Sequence, residues 1–395
     1  MASIKYRKNV NCLTSDELHD LREAYAGMYA LPASNYHSYE MIAGLHGGPS
    51  PTYCEHGYPG FLTWHRAYLL TFEEALQRVH CDVTLPFWDW SSKATVGLPS
   101  AVSSPTYVNR SGVTVPNPLY SGPIPASVSS AGTTSRSPSV GSRDFGPYAA
   151  QAQAALLNSD FDDFQVDLNG PHGSVHGAVG GHMGGVWTAG FDPIFWMHHA
   201  NVDRIWADWQ KLHPGPMPAS ENALELEPFT HGIGTNYKTG AEMLSTEALG
   251  YRYTRWCRFK LPWPYPWPLS VRKIVPFPPP WRVKLVFEAD KMPQATAEVR
   301  VFINDADVRH DTPISRTSFA GTLGFFGGTA PDGKAMLMAP RGKRQFAQSL
   351  QLGGALERLG EGDAMDLRVV AVSPEGTPVD LDRLGVKGLE LLVEH

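Results

Sequence analysis

Six histidines, His46, His56, His65, His172, His176 and His199, fall on or beside apolar helical stripes, where an imidazole without a partner is costly to bury. His172 and His176 stand four apart, a spacing that puts two rings on one helix face about one turn from each other and suits two ligands of one metal. With three histidines in each half of the first 200 residues, two three-histidine metal sites would satisfy them all. Donor sets made only of imidazole suit copper, zinc, iron or nickel, whereas calcium and magnesium prefer oxygen. A zinc protease would need a glutamate directly after the first histidine of the pair, and Gly173 stands there. A single histidine of this kind is more often a core residue bonded to a carboxylate, as Asp203 could serve His199, but six in this spacing argue jointly for metal. Periodicity leaves open whether His198 or His199 is the third donor of the second group. His199 shares a stripe with Phe195, Val202 and Trp206, and His198 shares one with Ile194 and Ile205.

The elements that must hold these residues can be read around them. Asp192 and Pro193 mark a helix start, since Asp accepts first-turn amides and Pro fits the first helical position. Phe61 to Val79 carries a wide apolar stripe that contains His65. Earlier helices are expected over 14–30 and over 36–45, the second stopped by the Gly47-Gly48-Pro49 run that follows His46. His56 lies in a turn-rich loop with Cys54. Residues 84–90 read as a short buried extended segment, and 91–147 as a long excursion rich in Ser, Gly, Pro and Thr. A helix follows over 148–157. The glycines around His172 and His176 are poor helix formers, so packing or a bound ion must hold that turn.

Composition limits the function classes. A formal net charge of -6 gives no basic footprint for nucleic acid. Cys12, Cys54, Cys81 and Cys257 are too few and too scattered for a disulfide scaffold. The chain has neither an apolar leader core nor a run of about 18 apolar residues, so no membrane partner is expected and the default location is cytoplasmic, with export open. A proline-aromatic run over 261–280 reads as a stiff connector between a first domain, 1–260, and a second, 281–395. The second shows short alternating β runs, with a helical turn expected near 344–352. Homo-oligomerisation stays open.

The motifs resemble those of the type-3 copper proteins, the group of tyrosinases, catechol oxidases and molluscan haemocyanins. The first copper motif is matched by His56, Phe61, Trp64, His65, Arg66 and Glu73, and the second by Asp192, Pro193, Phe195, His199 and Asp203. The resemblance implies a mainly α helical-bundle copper domain followed by an antiparallel β-sandwich cover domain. It assigns His46, His56 and His65 to copper A and His172, His176 and His199 to copper B, and so prefers His199 to His198. It implies two copper ions, dioxygen as co-substrate and small phenols oxidised to o-quinones, with a haemocyanin-like dioxygen carrier as the alternative. Cys54, two residues before His56, stands where relatives form a thioether to that histidine.

Several pocket positions depart from the family pattern or extend it. Gly173 replaces the asparagine that in tyrosinases helps orient a water as base, and Asp163 or Asp167 would be the upstream acid that partners it. Val186 matches a residue that gates copper A, and Gly177 should leave the entrance open, with His182 and Met183 on its rim. In the second domain, Ala320 to Gly328 resembles the plug loop of a cover domain, with Phe326 as the inserted side chain and Phe325 and Leu323 behind it. The resemblance therefore implies a latent enzyme.

Overall fold

The computed structural model describes residues 4–48, 53–54, 60–231, 239–254, 256–261, 269–272, 283–289, 297–325, 346–352, 355, 364–373 and 376–394. It divides into two compact units, Met1–Thr254 and Arg255–His395. In chain order the first unit holds strand β1 (Lys5–Arg7), helices α1 (Ser15–Tyr29), α2 (Tyr39–Gly44), α3 (Phe61–Val79) and α4 (Ser100–Ser103), and the hairpin of β2 (Thr106–Val108) with β3 (Thr114–Pro116). Helices α5 (Gly146–Ala155), α6 (Phe161–Val179), α7 (Val186–Ala189), α8 (Pro193–Leu212) and α9 (Ala219–Asn222) follow, and β4 (Tyr251–Tyr253) pairs in parallel with β1.

The helix ends follow from local chemistry. Thr14 and Glu17 close a capping box on α1, and Asp192 caps α8 by accepting from the Ile194 amide, with Pro193 in the first turn. Ser38 caps α2 through the Met41 amide, so that helix begins at Tyr39 rather than at 36. Helix α6 runs unbroken through Pro171 and the glycines to Val179, well beyond the single turn expected there. Its inward side, Phe161, Phe164, Leu168, Val175 and Val179, is buried, and this packing offsets the poor propensity.

Helices α3 and α8 form the centre of the unit. The rings of Phe72 and Trp196 stack between them with centroids 3.6 Å apart, and Tyr68 packs against Trp196 at 4.6 Å. Trp64, Trp88, Trp90, Trp196 and Trp206 are buried, each such side chain contributing on the order of 2–3 kcal/mol. Beside this aromatic layer lies a buried ionic cluster. Arg7 donates to Glu73 Oε2 (3.0 Å) and Asp203 Oδ2 (3.3 Å), Arg66 Nε donates to Asp203 Oδ1 (2.5 Å), and the hydroxyls of Tyr251 and Tyr253 donate to Asp203 Oδ2 at 2.7 and 2.6 Å. The Arg7 guanidinium also lies 3.7 Å from the ring centre of Tyr251. Burial opposes the Arg7 charge, yet Glu73, Tyr253 and Tyr251 outweigh it and raise its pKa well above the ordinary value. The cluster joins both ends of the unit's chain to the two central helices.

The 91–147 excursion is ordered by docking. Arg136 reaches the fully buried Asp192, Nη2 to Oδ1 at 2.6 Å, and also donates to the carbonyls of Val102 and Leu119. The excursion therefore locks the N-terminus of α8.

The second unit contains two antiparallel sheets. Strands β5 (Trp256–Leu261), β7 (Val283–Ala289), β10 (Phe346–Gln351) and β13 (Val386–Glu394) form one in the order β10-β7-β13-β5. In the other, β8 (Ala297–Ile303), β9 (Phe319–Phe325), β11 (Ala364–Val372) and β12 (Pro378–Val379) run β12-β11-β8-β9, and β6 (Leu269–Arg272) pairs with β11. Val299, Val301 and Ile303 of β8 and Leu367, Val369 and Ala371 of β11 are buried on alternate positions, and Phe302 and Val372 at the strand ends are buried as well. The two sheets meet where Gly321 of β9, at φ +149°, faces Leu350 of β10. A Cβ there would lie 2.7 Å from Leu350 Cδ1.

These pairings correct three expectations. The boundary falls at Thr254–Arg255 rather than at 260, because Trp256–Leu261 pairs with β13 inside the second unit. The 261–280 connector contains a strand, Leu269–Arg272, held by β11. Residues 346–351 form a strand on β7 instead of a helical turn.

Candidate metal centre

Four helical or helix-end positions carry the histidines. His46 follows α2, His65 lies in the second turn of α3, His172 and His176 lie one turn apart on α6, and His198 and His199 lie in the second turn of α8. Rings of His65 and His199 stack in parallel with centroids 4.3 Å apart, His172 and His199 are 4.9 Å apart, and His172 and His176 4.8 Å. Two sets emerge, His46 with His65 and His199, and His172 with His176, His198 and His199, in each of which one ring nitrogen per residue lies within 4.8 Å of the others. His199 belongs to both sets. His56 lies outside the described residues.

In four of the rings, those of His46, His65, His172 and His176, the second nitrogen is fixed by an oxygen. Nδ1 of His46 donates to the Val186 carbonyl (3.0 Å), that of His65 to Phe61 (2.7 Å) and that of His176 to Met183 (2.9 Å), while Nδ1 of His172 faces Oδ1 of Asn169 at 3.0 Å. Because these oxygens can only accept, each Nδ1 carries the proton and a neutral ring keeps its lone pair on Nε2. That is the arrangement by which second partners aim histidine ligands at a metal. Nε2 of His176 and Nε2 of His199 lie 3.2 Å apart. Two nitrogens each about 2.0 Å from one tetrahedral ion would be about 3.3 Å apart, so the spacing fits a shared ion. Without one, His199 can donate across the same gap. Burial, then the neighbouring histidines led by His65, lowers the pKa of His199 well below the ordinary imidazole value, and burial followed by His176 and His65 does the same to His198. Both rings are therefore neutral, as metal binding requires. The all-imidazole, buried and neutral donor set fits copper or another borderline ion.

His198 is fully buried, stacks on His172 at 5.2 Å and 11°, and has no hydrogen-bond partner for either ring nitrogen among the described residues. Geometry brings it as close to the α6 pair as His199, but only His199 also reaches His46 and His65.

The other expected site residues fare unequally. Cβ atoms added at Gly173 or Gly177 would meet nothing within 4 Å, so neither glycine is demanded by packing. Asp163 and Asp167 are both exposed on α6, Asp167 facing Asn158, and neither hydrogen-bonds a histidine among the described residues. Val186 is 46% exposed and lends its carbonyl to His46. Met183 is buried in the core rather than on a rim, because its carbonyl must meet His176, whereas His182 is half-buried and accepts the Ser135 amide. Cys54 is half-buried against the core and lies near enough to Tyr68 to help raise that phenol's pKa, after burial, and Tyr68 stacks with His46. Phe326 and the side chain of Phe325 lie outside the described residues. Leu323 sits half-buried in β9, so the segment expected as a plug loop is strand as far as Phe325, where it pairs with β8.

Sequence reasoning missed Glu221. It is buried, accepts from the Gly60 amide (3.1 Å) and the Thr63 hydroxyl (2.5 Å), and so caps the start of α3, whose own cap position is Gly60 at φ 110° with no side chain to offer. Burial outweighs these bonds and raises its pKa. Gln165 assists by accepting from the Leu62 amide. Both lie more than 100 positions from the amides they accept, and no local pattern marks them.

Residues 36–212 match the family model described as the common central domain of tyrosinase. Unit D of the beta-C chain hemocyanin of Helix pomatia is 35% identical over 219 residues, 52% of this chain and 51% of that protein. A tyrosinase of Streptomyces glaucescens is 36% identical over 182 residues, 40% of this chain and 65% of that one. The chain thus spans about half of the first and under two thirds of the second. Among solved structures, a functional unit of octopus hemocyanin shares the fold with TM-score 0.55 at 24% identity, over 98% of this chain and 99% of the other.

Proposed function

We propose, from the premise that the chain carries a tyrosinase-family central domain, that it is a copper-dependent phenol oxidase forming o-quinones from mono- or diphenols. In this reading His46, His56 and His65 hold copper A, and His172, His176 and His199 hold copper B. When bound, the copper pair supplies the redox chemistry that couples reduction of dioxygen to oxidation of the phenol. The chain's own residues do the rest. The carbonyls of Phe61, Met183 and Val186 and the amide of Asn169 hold the rings in one tautomer and one direction. Burial keeps His199 neutral and water away from it. The observation that carries the metal assignment is the convergence of neutral rings on His199. The open space at Gly173 and Gly177 supports access by a ring-shaped substrate.

Absence of a side chain at Gly173 leaves the chain without the asparagine that would orient a water, and this favours diphenols over monophenols. A thioether from Cys54 to His56 and a restraining role for the second unit rest on the family resemblance. The second reading, a dioxygen carrier, is supported by the likeness to hemocyanin units.

Loading the whole chain with copper, following its absorption with and without dioxygen, and then offering tyrosine and a catechol tests these readings together. Quinone from catechol is the expected result. Reversible dioxygen binding with no quinone, before and after limited proteolysis, would establish the carrier and end the oxidase reading.

A further inference from the structure

We propose that Trp187 is a stacking platform for the aromatic ring of the substrate at the edge of the metal centre. This inference rests on the phenol oxidase reading and specifies its substrate class. Val186 and Trp187, the first two residues of α7, are 46% and 42% exposed and follow the exposed Gly184 and Gly185, while Met183 before this stretch and Ala189 and Phe191 after it are excluded from solvent. The exposed stretch is four residues long, and buried residues lie on both sides of it.

The pair is seated tightly on the loop that carries His46. A Cβ at Gly47 would lie 2.1 Å from the Val186 carbonyl oxygen, and a Cβ at Gly48 would lie 2.4 Å from Cε2 of the Trp187 indole. Only glycine at both positions lets the carbonyl and the indole come so close. That carbonyl is the acceptor for His46 Nδ1 at 3.0 Å. The indole consequently rests on main chain two residues after a histidine of the centre, with part of its surface closed by Gly48 and part open.

An indole held in this way keeps a flat apolar face ready at little entropic cost, since backbone packing already fixes it. Aromatic rings meet such a face in offset or edge contact, and a phenol is a flat ring with a polar handle of its own. Diphenols built on two fused rings cover more of the indole than those built on one. Trp187 thus selects flat, extended phenols, and it is a binding residue, not a participant in the redox step.

Equilibrium binding tests this without turnover. The whole chain loaded with zinc, which takes imidazole ligands but is redox-inert, is titrated calorimetrically with 4-tert-butylcatechol and with 2,3-dihydroxynaphthalene. The Trp187→Ala variant is expected to bind the naphthalenediol about 3- to 10-fold more weakly, the worth of one aromatic pair, while Trp187→Phe stays near the parent. Metal content and thermal midpoint of each variant check that the fold is kept. Equal affinity for both diols in Trp187→Ala and the parent, or no binding of either diol to the parent, overturns the inference. Parent binding that depends on Trp187, together with a copper-loaded chain that forms no quinone, would keep the platform and remove only the oxidase reading.

Discussion

Asp203 takes the Nε of Arg66 at 2.5 Å, so a carboxylate one turn beyond His199 and a guanidinium directly after His65 tie the two central helices at the level of the histidines. The same carboxylate receives Arg7, Tyr251 and Tyr253, and Arg7 also holds Glu73. The relative placement of α3 and α8 is thereby set by charges that have no exit to water.

Removing the shared carboxylate should be costly. Asp203→Ala takes from the buried Arg66 its carboxylate and leaves Arg7 only that of Glu73, and a loss of about 3–5 kcal/mol is expected in urea or guanidinium unfolding of the whole chain. Arg7→Met should lose a similar amount by leaving Glu73 with the Leu85 amide in place of its cation. A change under 1 kcal/mol in both would show that the cluster does not hold the helices.

Acid should act on the same group. Burial would push the Asp203 carboxyl up, but Arg66 and Arg7 outweigh it and hold it below its ordinary value. The folded pKa then lies below the unfolded one, so the stabilisation is complete above about pH 4 and is lost as pH falls through the lower folded value. Unfolding free energies measured from about pH 6 to pH 3 should fall away at the acid end in the parent and more gently in Asp203→Asn. Identical acid slopes would contradict the assignment.

The docked excursion is open to a proteolytic test. Arg136→Met removes the partner of a fully buried Asp192. A loss of about 3 kcal/mol is expected, with faster cleavage in 91–147 than in the parent under limiting trypsin or thermolysin. An unchanged cleavage rate would mean that the excursion is held by its other contacts alone.

Metal retention should separate the adjacent histidines of α8. His199→Ala is expected to lower copper content to half or less, because His199 is common to both sets, while His198→Phe keeps it. The reverse result would move the ligand to His198.

Gly47→Ala places a methyl 2.1 Å from the Val186 oxygen and must displace the acceptor of His46. Loss of such an outer partner is expected to weaken metal binding about 10- to 100-fold in a chelator competition. Parent-like affinity would show that the loop yields without turning the ring.

The sequence was most legible where pattern and chemistry coincide. Helices α3 and α8 follow from their apolar stripes and from the Asp192-Pro193 start, and the His172–His176 spacing marks one face of α6. Less was legible where the deciding partner is remote. The unbroken course of α6 depends on packing that its glycines do not announce, and β6 pairs with a strand far along the chain although prolines flank it in sequence. Arg7, Glu221 and Arg136 are ordinary charged residues locally, and their roles come from contacts 66 to 246, 158 to 161 and 17 to 56 positions away, respectively. Asp163 and Asp167 are expected carboxylates only through the family resemblance, and position along the chain does not say which way a helical side chain faces.

Three of the ring-aiming acceptors are main-chain oxygens, those of Phe61, Met183 and Val186. Every amino acid supplies the same oxygen, so substitution at these positions can change bulk or polarity without deleting the acceptor. Val186 in particular is free to drift: natural variation or directed evolution there can retune what approaches the centre while His46 keeps its aim. The geometry that selection must protect is thus partly insulated from the side chains on which selection for new substrates would act.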